Sequence, residues 1–303
     1  MNADTETNTQ AETSAPTNAD NEANTEGGQE AAIGTVVGGP HGSDAERQDA
    51  GPPGLAFQPD DAYFDVMADA AANHWWYRTR RAWIRQLLVG RIEPGTVAID
   101  AGTGTAEVVD VLRELGAAPA VGTDYSLLAL HYARRRTPTP PVLRSTAEHL
   151  PFADGSAHTL VSLEVIEHLD DDLTALAEYK RVLAPGGTLL ITVPAYQWLW
   201  GDHDVTAAHR RRYSTRQLRN VLTAAGFDVE IITSYFAFLV PPAFLVRRTP
   251  LGRLVEQSED EASTFGPTID RIFEGLGAAE RWIARRHPLP VGLSIACVAT
   301  KPL

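Results

Sequence analysis

The sequence has little of what a secreted or membrane-spanning protein carries. There is one cysteine, Cys297, in 303 residues, so the chain has no second thiol for an internal disulfide. The N-terminus lacks both the basic start and the apolar core of a signal peptide. The longest apolar run, residues 235–246, contains Pro241 and Pro242 and is shorter than the ~20 residues of a bilayer-spanning helix. We therefore expect a cytoplasmic protein without a transmembrane segment.

Residues 1–50 contain no aromatic residue and only one basic residue, Arg47, against ten acids. This stretch carries −9 of the chain's net charge of −13, which leaves −4 for the remainder. A segment with so few apolar side chains buries too little surface to offset the conformational entropy that the chain loses when it folds. We therefore predict a disordered acidic tail over 1–50 and a folded domain over 51–303. A mildly acidic domain gives no electrostatic footprint for DNA or RNA, and nucleic acid is not an expected partner.

The folded part alternates short apolar runs with amphipathic stretches, the pattern of βαβ units. The predicted strands are TVAID (96–100), AVGTD (120–124), PVLRS (141–145), HTLVSLE (158–164), TLLITV (188–193) and DVEIIT (228–233), with a final strand within 291–300. Ser214 and Gln217 form a capping box for a helix that ends at Ala225, and Gly226 supplies the left-handed residue beyond it. The pattern predicts an α/β fold with a doubly wound, mostly parallel sheet.

Two further segments lie outside this alternation. Residues 51–92 include HWWYRTRR (74–81) at helical spacing and are predicted to form a helical cap, in which Tyr77 or Arg81 would meet a carboxylate of the cofactor. The alternative for these arginines is helix packing with solvated head groups. Residues 235–288 form an insertion before the last strand, with a predicted helix over 269–285, and are a candidate lid.

A glycine-rich loop, DAGTGTA (100–106), follows the first strand and opens a helix. The loop lets a ligand approach the backbone closely. A dinucleotide fingerprint would place glycine at position 107, where this chain has Glu107, which would repel a pyrophosphate. Asp124, at the end of the second strand, can accept hydrogen bonds from two ribose hydroxyls. A nicotinamide oxidoreductase is therefore disfavoured, though it stays open at this point.

The chain resembles the class I S-adenosylmethionine (SAM)-dependent methyltransferases in four motifs that occur in order. These are DAGTGTA, TAEHLPF (146–152), EVIEHL (164–169) and RVLAPGG (181–187). The resemblance implies a Rossmann-like, seven-stranded sheet and SAM as the cofactor. It also implies that Gly102 and Gly104 lie against the methionine part, that Asp124 binds the ribose, and that Glu164 lies beneath the sulfonium.

With their neighbours, the candidate cofactor-binding residues are Asp100, Gly102, Thr103, Gly104, Asp124, Tyr125, Ser126, Thr146, Ala147, Glu148 and Glu164, in addition to Tyr77 and Arg81. Thr146 and Ala147 would lie near the adenine. Thr146 replaces the family's usual aspartate and offers a hydroxyl in its place. Ala106 replaces the usual third glycine, which is tolerable if the helix has already begun there.

The segment after the fifth strand, residues 193–214, combines the side chains that an acceptor site needs. Methyl transfer to a hydroxyl requires a base. His203 and His209 with Asp204 as orienting carboxylate, or His168 of the EVIEHL motif, are the candidate catalytic residues. The alternative is that these histidines only fix the loop. The spacing of His203, Asp204 and His209 matches no metal motif, so no metal is expected.

Aromatic and basic residues of the same segment are candidates for binding the acceptor. Trp198 and Trp200 are predicted to alternate along one side of an extended stretch, where they would stack on sugar rings or would belong to the core. The candidate acceptor-binding residues are Tyr196, Trp198, Trp200, Arg211, Arg212 and Tyr213.

This segment and HWWYRTRR together resemble a bacterial subgroup with an HxW[WF]RxxRR motif and a VPAxxxLWxxHDxxxxHxRRY motif. The resemblance implies O-methylation of a hydroxyl on a saccharide, glycolipid or secondary metabolite. N-methylation of an amine on a small molecule or peptide, and a non-catalytic binding protein with the SAM fold, are the alternatives. Residues 235–246 would shield the site or touch a lipid portion of the acceptor at a membrane surface, a peripheral contact.

Overall fold

The computed structural model describes residues 61–248 and 266–303. The predicted tail over 1–50 and the part of the insertion from 249 to 265 lie outside the described residues. None of the helices between 61 and 248 or after 266 has the length and apolarity that a bilayer crossing requires.

In the described part of the chain, seven strands form one sheet in the order β3-β2-β1-β4-β5-β7-β6. The strands are β1 (Ala98–Ala101), β2 (Ala120–Asp124), β3 (Val142–Arg144), β4 (Ala157–Leu163), β5 (Leu183–Pro194), β6 (Asp228–Tyr235) and β7 (Ser294–Thr300). The neighbours from β3 to β5 pair in parallel, and β7 runs antiparallel to both β5 and β6. The predicted fold class, α/β with a mostly parallel doubly wound sheet, is confirmed.

Helices cover both faces of this sheet. They are α1 (Asp61–Asn73), α2 (Trp75–Leu88), α3 (Glu107–Glu114), α4 (Leu127–Arg134), α5 (Asp172–Val182), α6 (Asp202–Thr206), α7 (Thr215–Ala224), α8 (Val240–Arg248) and α9 (Pro267–Ala284). Side chains of α2, α3 and α4 pack into one buried cluster, and those of α5 and α7 into another. Neighbouring strand residues such as Leu160 and Val161 enter opposite clusters because side chains alternate across a strand.

Local signals in the sequence fix several helix ends. Ser214 Oγ accepts the Gln217 backbone N–H, while the Gln217 side chain accepts the Ser214 N–H, so the predicted capping box is present. Gly226 follows α7 with a φ of 83°. Asp171 caps α5 by accepting the N–H groups of Leu173 and Thr174. These caps satisfy backbone groups that the helix itself cannot pair.

The N-terminal cap and the insertion meet each other. Helix α9 packs on α2, where Gly277 is close enough to Thr79 that a Cβ would lie 2.5 Å from its Cγ2. The Gln86 side chain donates to the Arg281 carbonyl at 3.0 Å, and the Glu280 carboxylate accepts the N–H groups of Phe236 and Phe238. The described part of the insertion is therefore fixed to the cap and to the end of β6.

Candidate active site

The glycine-rich loop leaves β1 at the edge of the sheet where the parallel strands end. Gly102 and Gly104 both have left-handed backbone, with φ of 77° and 55°. The Thr103 hydroxyl donates to the Asp100 carboxylate at 2.6 Å, and the Gly104 N–H donates to Asp124 at 2.8 Å. A Cβ at Gly104 would meet nothing within 4 Å. The loop is therefore held by Asp100 and Asp124, and the space on the Cβ side of Gly104 is open, as close approach of a ligand requires.

Ala106 differs from what the sequence analysis expected. The helix α3 begins at Glu107, and Ala106 is its N-cap residue in the left-handed region, with φ of 65° and ψ of 31°. The condition that the helix has already begun at Ala106 is therefore not met. An alanine in this conformation costs about 1–2 kcal/mol because Cβ crowds the backbone, so the third glycine of the motif has been replaced at some expense in strain.

Glu107 is buried and held by two partners. Its carboxylate accepts from the Thr105 hydroxyl and forms an ion pair with Arg136 at 3.2 Å. The charge of Glu107 is thus balanced by Arg136.

Asp124 ends β2 and lies against this loop. Besides the Gly104 N–H it accepts the N–H of Ser126 at 2.9 Å, and Ser126 Oγ caps α4 by accepting from Ala129 at 3.2 Å. The Tyr125 carbonyl accepts the Arg144 side chain at 3.0 Å. Asp124 therefore ties the glycine loop to the N-terminal end of α4.

Thr146, Ala147 and Glu148 follow β3 at the same edge. Thr146 and His149 form an isolated β-bridge, so this segment turns back on itself directly after the strand. All three candidate residues are half-buried. The structure thus brings the predicted adenine segment to the same edge as the glycine loop and Asp124.

Glu164 directly follows β4 and has a left-handed backbone, with φ of 54°. Its N–H donates to the Thr192 carbonyl at 3.0 Å, and the Tyr235 hydroxyl lies 3.4 Å from its Oε1. Burial raises the pKa of Glu164, against the opposing charges of His209, Arg80 and Arg212. Strained non-glycine backbone is concentrated at functional sites, so the geometry singles this acid out.

Sequence reasoning missed Arg80. Its guanidinium carbon lies 4.9 Å from the centre of the Tyr77 ring. Tyr235 and Glu164 are among the groups whose charges favour the protonated form of Arg80. The buried Nε atom has no hydrogen-bond partner among the described residues. The run RTRR (78–81) showed that a cation would be available, but not which arginine turns inward.

The two cap residues that were predicted have other contacts. The Tyr77 hydroxyl approaches Met67 Sδ at 3.0 Å, and Arg81 donates to the Ala71 carbonyl. Arg81 also lines a groove beside α3 with Arg85 and Arg136. The geometry therefore favours Arg80 over Arg81 for a ligand carboxylate at the glycine loop.

The acceptor segment contains a buried histidine and carboxylate pair. His209 Nδ1 lies 2.8 Å from Asp204 Oδ1, and Asp204 also accepts from Arg212 Nε at 2.7 Å and from the Gly201 N–H at 2.9 Å. Burial opposes ionisation of Asp204, but these hydrogen bonds from His209 and Arg212 hold its pKa below the usual range. Asp204 is therefore an anion that fixes the orientation of the His209 ring.

The other two catalytic candidates lie around this pair. His203 is exposed, and its ring centre is 5.9 Å from that of His209. The His168 ring centre is 4.8 Å from that of His209. Burial lowers the pKa of His168 to about 4, so this ring is neutral at physiological pH. The structure thus brings His168, Asp204 and His209 together and leaves His203 at the rim.

Glu167 was also missed by sequence reasoning. It is fully buried beside His168 and His209, and among the described residues neither carboxylate oxygen has a hydrogen-bond partner. Burial and the neighbouring Glu164 carboxylate raise its pKa well above the ordinary value. The EVIEHL motif contains both acids, but nothing local to it says that the second one points inward.

The predicted acceptor-binding aromatics were partly misassigned. Gln197–Leu199 is a 3-10 helix, so the prediction of an extended stretch with Trp198 and Trp200 on one side is wrong. Three residues per turn place positions i and i+2 on different sides. Trp198 is 40% exposed, with its ring parallel to that of Tyr196 and 5.9 Å from that of Phe244. The Tyr196 hydroxyl donates to the Pro290 carbonyl.

Arg211, Arg212 and Tyr213, the other acceptor-binding candidates, make hydrogen bonds within the protein. Arg211 donates to the Leu169 and Asp170 carbonyls at 2.8 Å each. Arg212 is buried and donates hydrogen bonds to the Asp204 carboxylate and to the Ala195 carbonyl. The buried Tyr213 hydroxyl donates to Asp172 at 2.6 Å. These contacts fix the loop to β5 and α5, and acceptor binding by Arg211, Arg212 and Tyr213 stays a prediction.

Comparison with known proteins agrees with this geometry. Residues 99–191, which contain the glycine loop, Asp124 and Glu164, match the family described as a methyltransferase domain. A protein of Mycolicibacterium smegmatis named a probable S-adenosylmethionine-dependent methyltransferase is 30% identical over 162 residues, 53% of this chain and 62% of that protein. The chain therefore covers less than two thirds of that relative's length.

Two solved structures share the fold. A methyltransferase of Haloferax volcanii, in complex with the Trm112 methyltransferase activator, has a TM-score of 0.54 at 21% identity over 80% of this chain and 96% of that chain. Phosphoethanolamine N-methyltransferase 2 of Haemonchus contortus, in complex with SAM, has a TM-score of 0.53 at 18% identity over 82% of this chain and 59% of that chain. These two likenesses concern the fold alone. Residues 99–191 thus match a methyltransferase domain, and the chain shares its fold with these two solved structures.

Proposed function

We propose that this chain transfers the methyl group of SAM to a hydroxyl group of a saccharide, glycolipid or secondary metabolite. The observation that carries the proposal is the pairing of His209 with the buried Asp204, 2.8 Å apart, at the sheet edge that also bears the glycine loop. When bound, SAM supplies a methyl group on a positively charged sulfur, which a nucleophile displaces in line.

The residues at this edge fit SAM. The open space above Gly104 admits a ligand against the backbone, and the Asp124 carboxylate, beside this loop at the end of β2, would accept hydrogen bonds from the ribose hydroxyls. Arg80 has an unsatisfied buried Nε atom and would bind the carboxylate of the methionine part. Glu164 would stand beneath the sulfonium, where a carboxylate beside a cation is favoured. Thr146 and Ala147 would border the adenine.

The acceptor side then has two tasks, to orient the hydroxyl and to remove its proton. Asp204 accepts from Nδ1 of His209 and so leaves Nε2 of that ring as the basic nitrogen. This nitrogen faces Glu167, which adjoins Glu164, so the base lies on the cofactor side of the loop. Such a base contributes typically about 10²–10⁴-fold to a transfer that needs deprotonation.

A lipid portion of the acceptor would find apolar side chains at the same end of the molecule. Trp198 and Phe244 are 40% and 48% exposed and form an edge-to-face ring contact. Exposed aromatic rings in a cluster are typical of apolar ligand or membrane contacts. The single cysteine, Cys297, is buried in β7, which agrees with a reducing compartment such as the cytoplasm.

The test is a transfer assay with labelled methyl-SAM and a panel of sugar hydroxyls, glycolipids and amines, with cellular fractionation as the check on location. O-transfer should fall by about 10²-fold or more in His209→Gln with the SAM affinity kept, whereas transfer to a neutral amine should change only a few-fold. His203→Gln is the matched comparison, because His203 lies at the rim.

The outcomes separate the alternatives. Transfer to amines that is insensitive to His209→Gln would establish N-methylation instead. Tight SAM binding without transfer to any class on the panel would favour a non-catalytic SAM-binding protein. A folded chain that does not bind SAM would overturn the proposal as a whole.

A further inference from the structure

Glu167 is the least explained side chain of the site. It lies in the 3-10 helix Ile166–His168 directly after β4, is 0% exposed, and has no hydrogen-bond partner for Oε1 or Oε2 within the described residues. A buried carboxylate without partners costs several kcal/mol if it is charged. Such a group is stable only when it holds a proton or adjoins a cation.

Two imidazole rings face this carboxylate. Nε2 of His168 lies 3.9 Å from Glu167 Oε1, and Nε2 of His209 lies 4.0 Å from the same atom. One ligand atom from each of the three residues can be chosen so that all lie within 4.8 Å of one another. The two rings stand edge to face, with their centres 4.8 Å apart.

Each ring has hydrogen-bond partners in the protein. Nδ1 of His209 is bonded to Asp204, and Asp204 is fixed in turn by Arg212 and by the Gly201 N–H. The backbone carbonyl groups of Ala207 and Ala208 lie against the His168 ring. A carboxylate or carbonyl behind a ring nitrogen is the usual support of a histidine that ligates a metal, because it fixes the ring and raises its basicity.

We propose that Glu167, His168 and His209 bind one divalent transition-metal ion of the Zn²⁺ type. Two imidazoles and one carboxylate are a ligand set that suits Zn²⁺ and Fe²⁺, and three protein ligands leave a position for a further oxygen. Bonds of about 2.0–2.2 Å place neighbouring ligand atoms about 3.3 Å apart. Small side-chain rotations would therefore close the present spacing.

These three ligands revise the expectation that no metal binds, and they differ from the residues that the sequence had offered as ligands. The set considered from the sequence was His203, Asp204 and His209. Asp204 is already committed to Nδ1 of His209 and to Arg212, and so supports a ligand instead of being one. Glu167 takes its place, on the side of the His209 ring that carries Nε2.

A role of the ion in activating the acceptor hydroxyl rests on the proposed function, whereas the binding of the ion does not. An acceptor hydroxyl that occupies the open position would lose its proton more readily, since a bound cation lowers the pKa of the oxygen it holds. In the metal-bound protein Nε2 of His209 is a ligand, and the ion takes over the activation that the free imidazole would otherwise provide.

The experiment uses the full, untagged chain after treatment with a chelator. It is titrated with Zn²⁺ by calorimetry and with Co²⁺ by visible absorbance, because Co²⁺ shows d–d bands when held by such ligands. We expect one equivalent of either ion. Glu167→Gln, which preserves shape, and His168→Asn should each weaken Zn²⁺ binding by about 100-fold or more, and Asp204→Asn by about 10–100-fold.

Two controls address surface histidines and the alternative ligand set. His149→Asn removes an exposed histidine, and His203→Asn removes the third member of the set considered from the sequence; neither should change the affinity. The SAM affinity of every variant, measured in the same samples, reports that the site is still folded.

Wild-type chain that binds SAM but neither Zn²⁺ nor Co²⁺ would overturn the metal site and leave methyl transfer standing; Glu167 would then hold a proton beside Glu164. Zn²⁺ binding that Glu167→Gln leaves unchanged would overturn it equally. Stoichiometric Zn²⁺ binding by a chain that does not bind SAM would support the metal site and contradict the proposed function.

Discussion

The backbone N–H of Gly104 donates a 2.8 Å hydrogen bond to Oδ2 of Asp124. This bond ties the loop after β1 to the end of β2, two strands that lie side by side in parallel. Asp124 therefore shapes the loop and, in the proposed function, also binds the ribose. A variant that keeps the shape of the side chain but removes its charge tests both roles.

Asp124→Asn should weaken SAM binding by about 10–100-fold, since hydrogen bonds to a charged acceptor contribute about 1.5–3 kcal/mol. The amide oxygen can accept only one of the two N–H groups that the Asp124 carboxylate holds, so the thermal midpoint should fall as well. Calorimetric titration with SAM measures the affinity, and Asp110→Asn on α3 is the matched control. An unchanged SAM affinity in Asp124→Asn would remove this residue from the proposed ribose site.

Arg80→Gln should lose affinity for SAM but not for 5′-methylthioadenosine, which lacks the amino-acid part. The physical reason is that Arg80 is a half-buried cation near Glu164 whose Nε atom is buried and has no hydrogen-bond partner among the described residues. We expect about a 10–50-fold loss for SAM, in the range of one charge-assisted contact. Fluorescence titration with both ligands tests it.

Arg85→Gln is the control for this prediction, because Arg85 is on the same helix and pairs with Glu114 at the surface. It should leave both affinities unchanged. Equal losses for SAM and 5′-methylthioadenosine in Arg80→Gln would show that Arg80 supports the site generally rather than binding the carboxylate.

Local patterns in the sequence were enough to predict most of the fold. The Ser214–Gln217 capping box and Gly226 define both ends of α7 through contacts within a few residues, so the sequence carries them completely. The strand AVGTD is observed with the predicted bounds because its apolar run ends at a turn and a helix cap. Interactions this short in range need no knowledge of the tertiary structure.

The inward-facing polar groups could not be predicted in the same way. Arg80 and Arg81 are adjacent, and which one comes near Glu164 depends on how α2 packs in the folded chain. The burial of Glu167 depends on the loop that carries His209, about forty residues later. Trp198 was misread because two tryptophans two positions apart in the sequence can occur in a 3-10 turn as well as in an extended stretch. Each of these depends on packing between distant segments.

The two glycines of the loop should respond differently to alanine. A Cβ at Gly102 would lie 2.4 Å from Val165 Cγ2, in addition to the cost of its left-handed backbone. Gly102→Ala should therefore reduce the free energy of unfolding by about 2–5 kcal/mol. Gly104→Ala meets open space and should cost only the backbone strain, about 1–2 kcal/mol, while it weakens SAM binding by intruding on the ligand.

Urea unfolding of both variants without SAM measures this difference. Val165→Ala in the background of Gly102→Ala should recover part of the loss, since it removes the methyl group that the new Cβ meets. Equal stability of the two single variants would mean that the clash at Val165 is relieved by a backbone shift.

Asp100 should make the stability of the cofactor-free protein fall with rising pH. Burial raises the pKa of this carboxyl to about 7, against the hydrogen bond from Thr103 and with Glu107 and Asp124 adding to the rise. An unfolded aspartate titrates near pH 4, so between about pH 4 and 7 the folded state binds more protons than the unfolded state. Stability is therefore lost over that window, by an amount on the order of 4 kcal/mol at most, and the loss is complete above it.

Asp100→Asn removes this titration and keeps an acceptor for the Thr103 hydroxyl. Its free energy of unfolding, measured in urea at several values between pH 4.5 and 8, should fall less with pH than that of the wild type, and the two curves should diverge mainly below pH 7. Asp228→Asn, at an exposed position at the start of β6, is the matched change of acid to amide. Parallel curves for the wild type and Asp100→Asn would mean that Asp100 is ionised throughout. Arg80, whose charge lowers the pKa of this carboxyl, would then balance it.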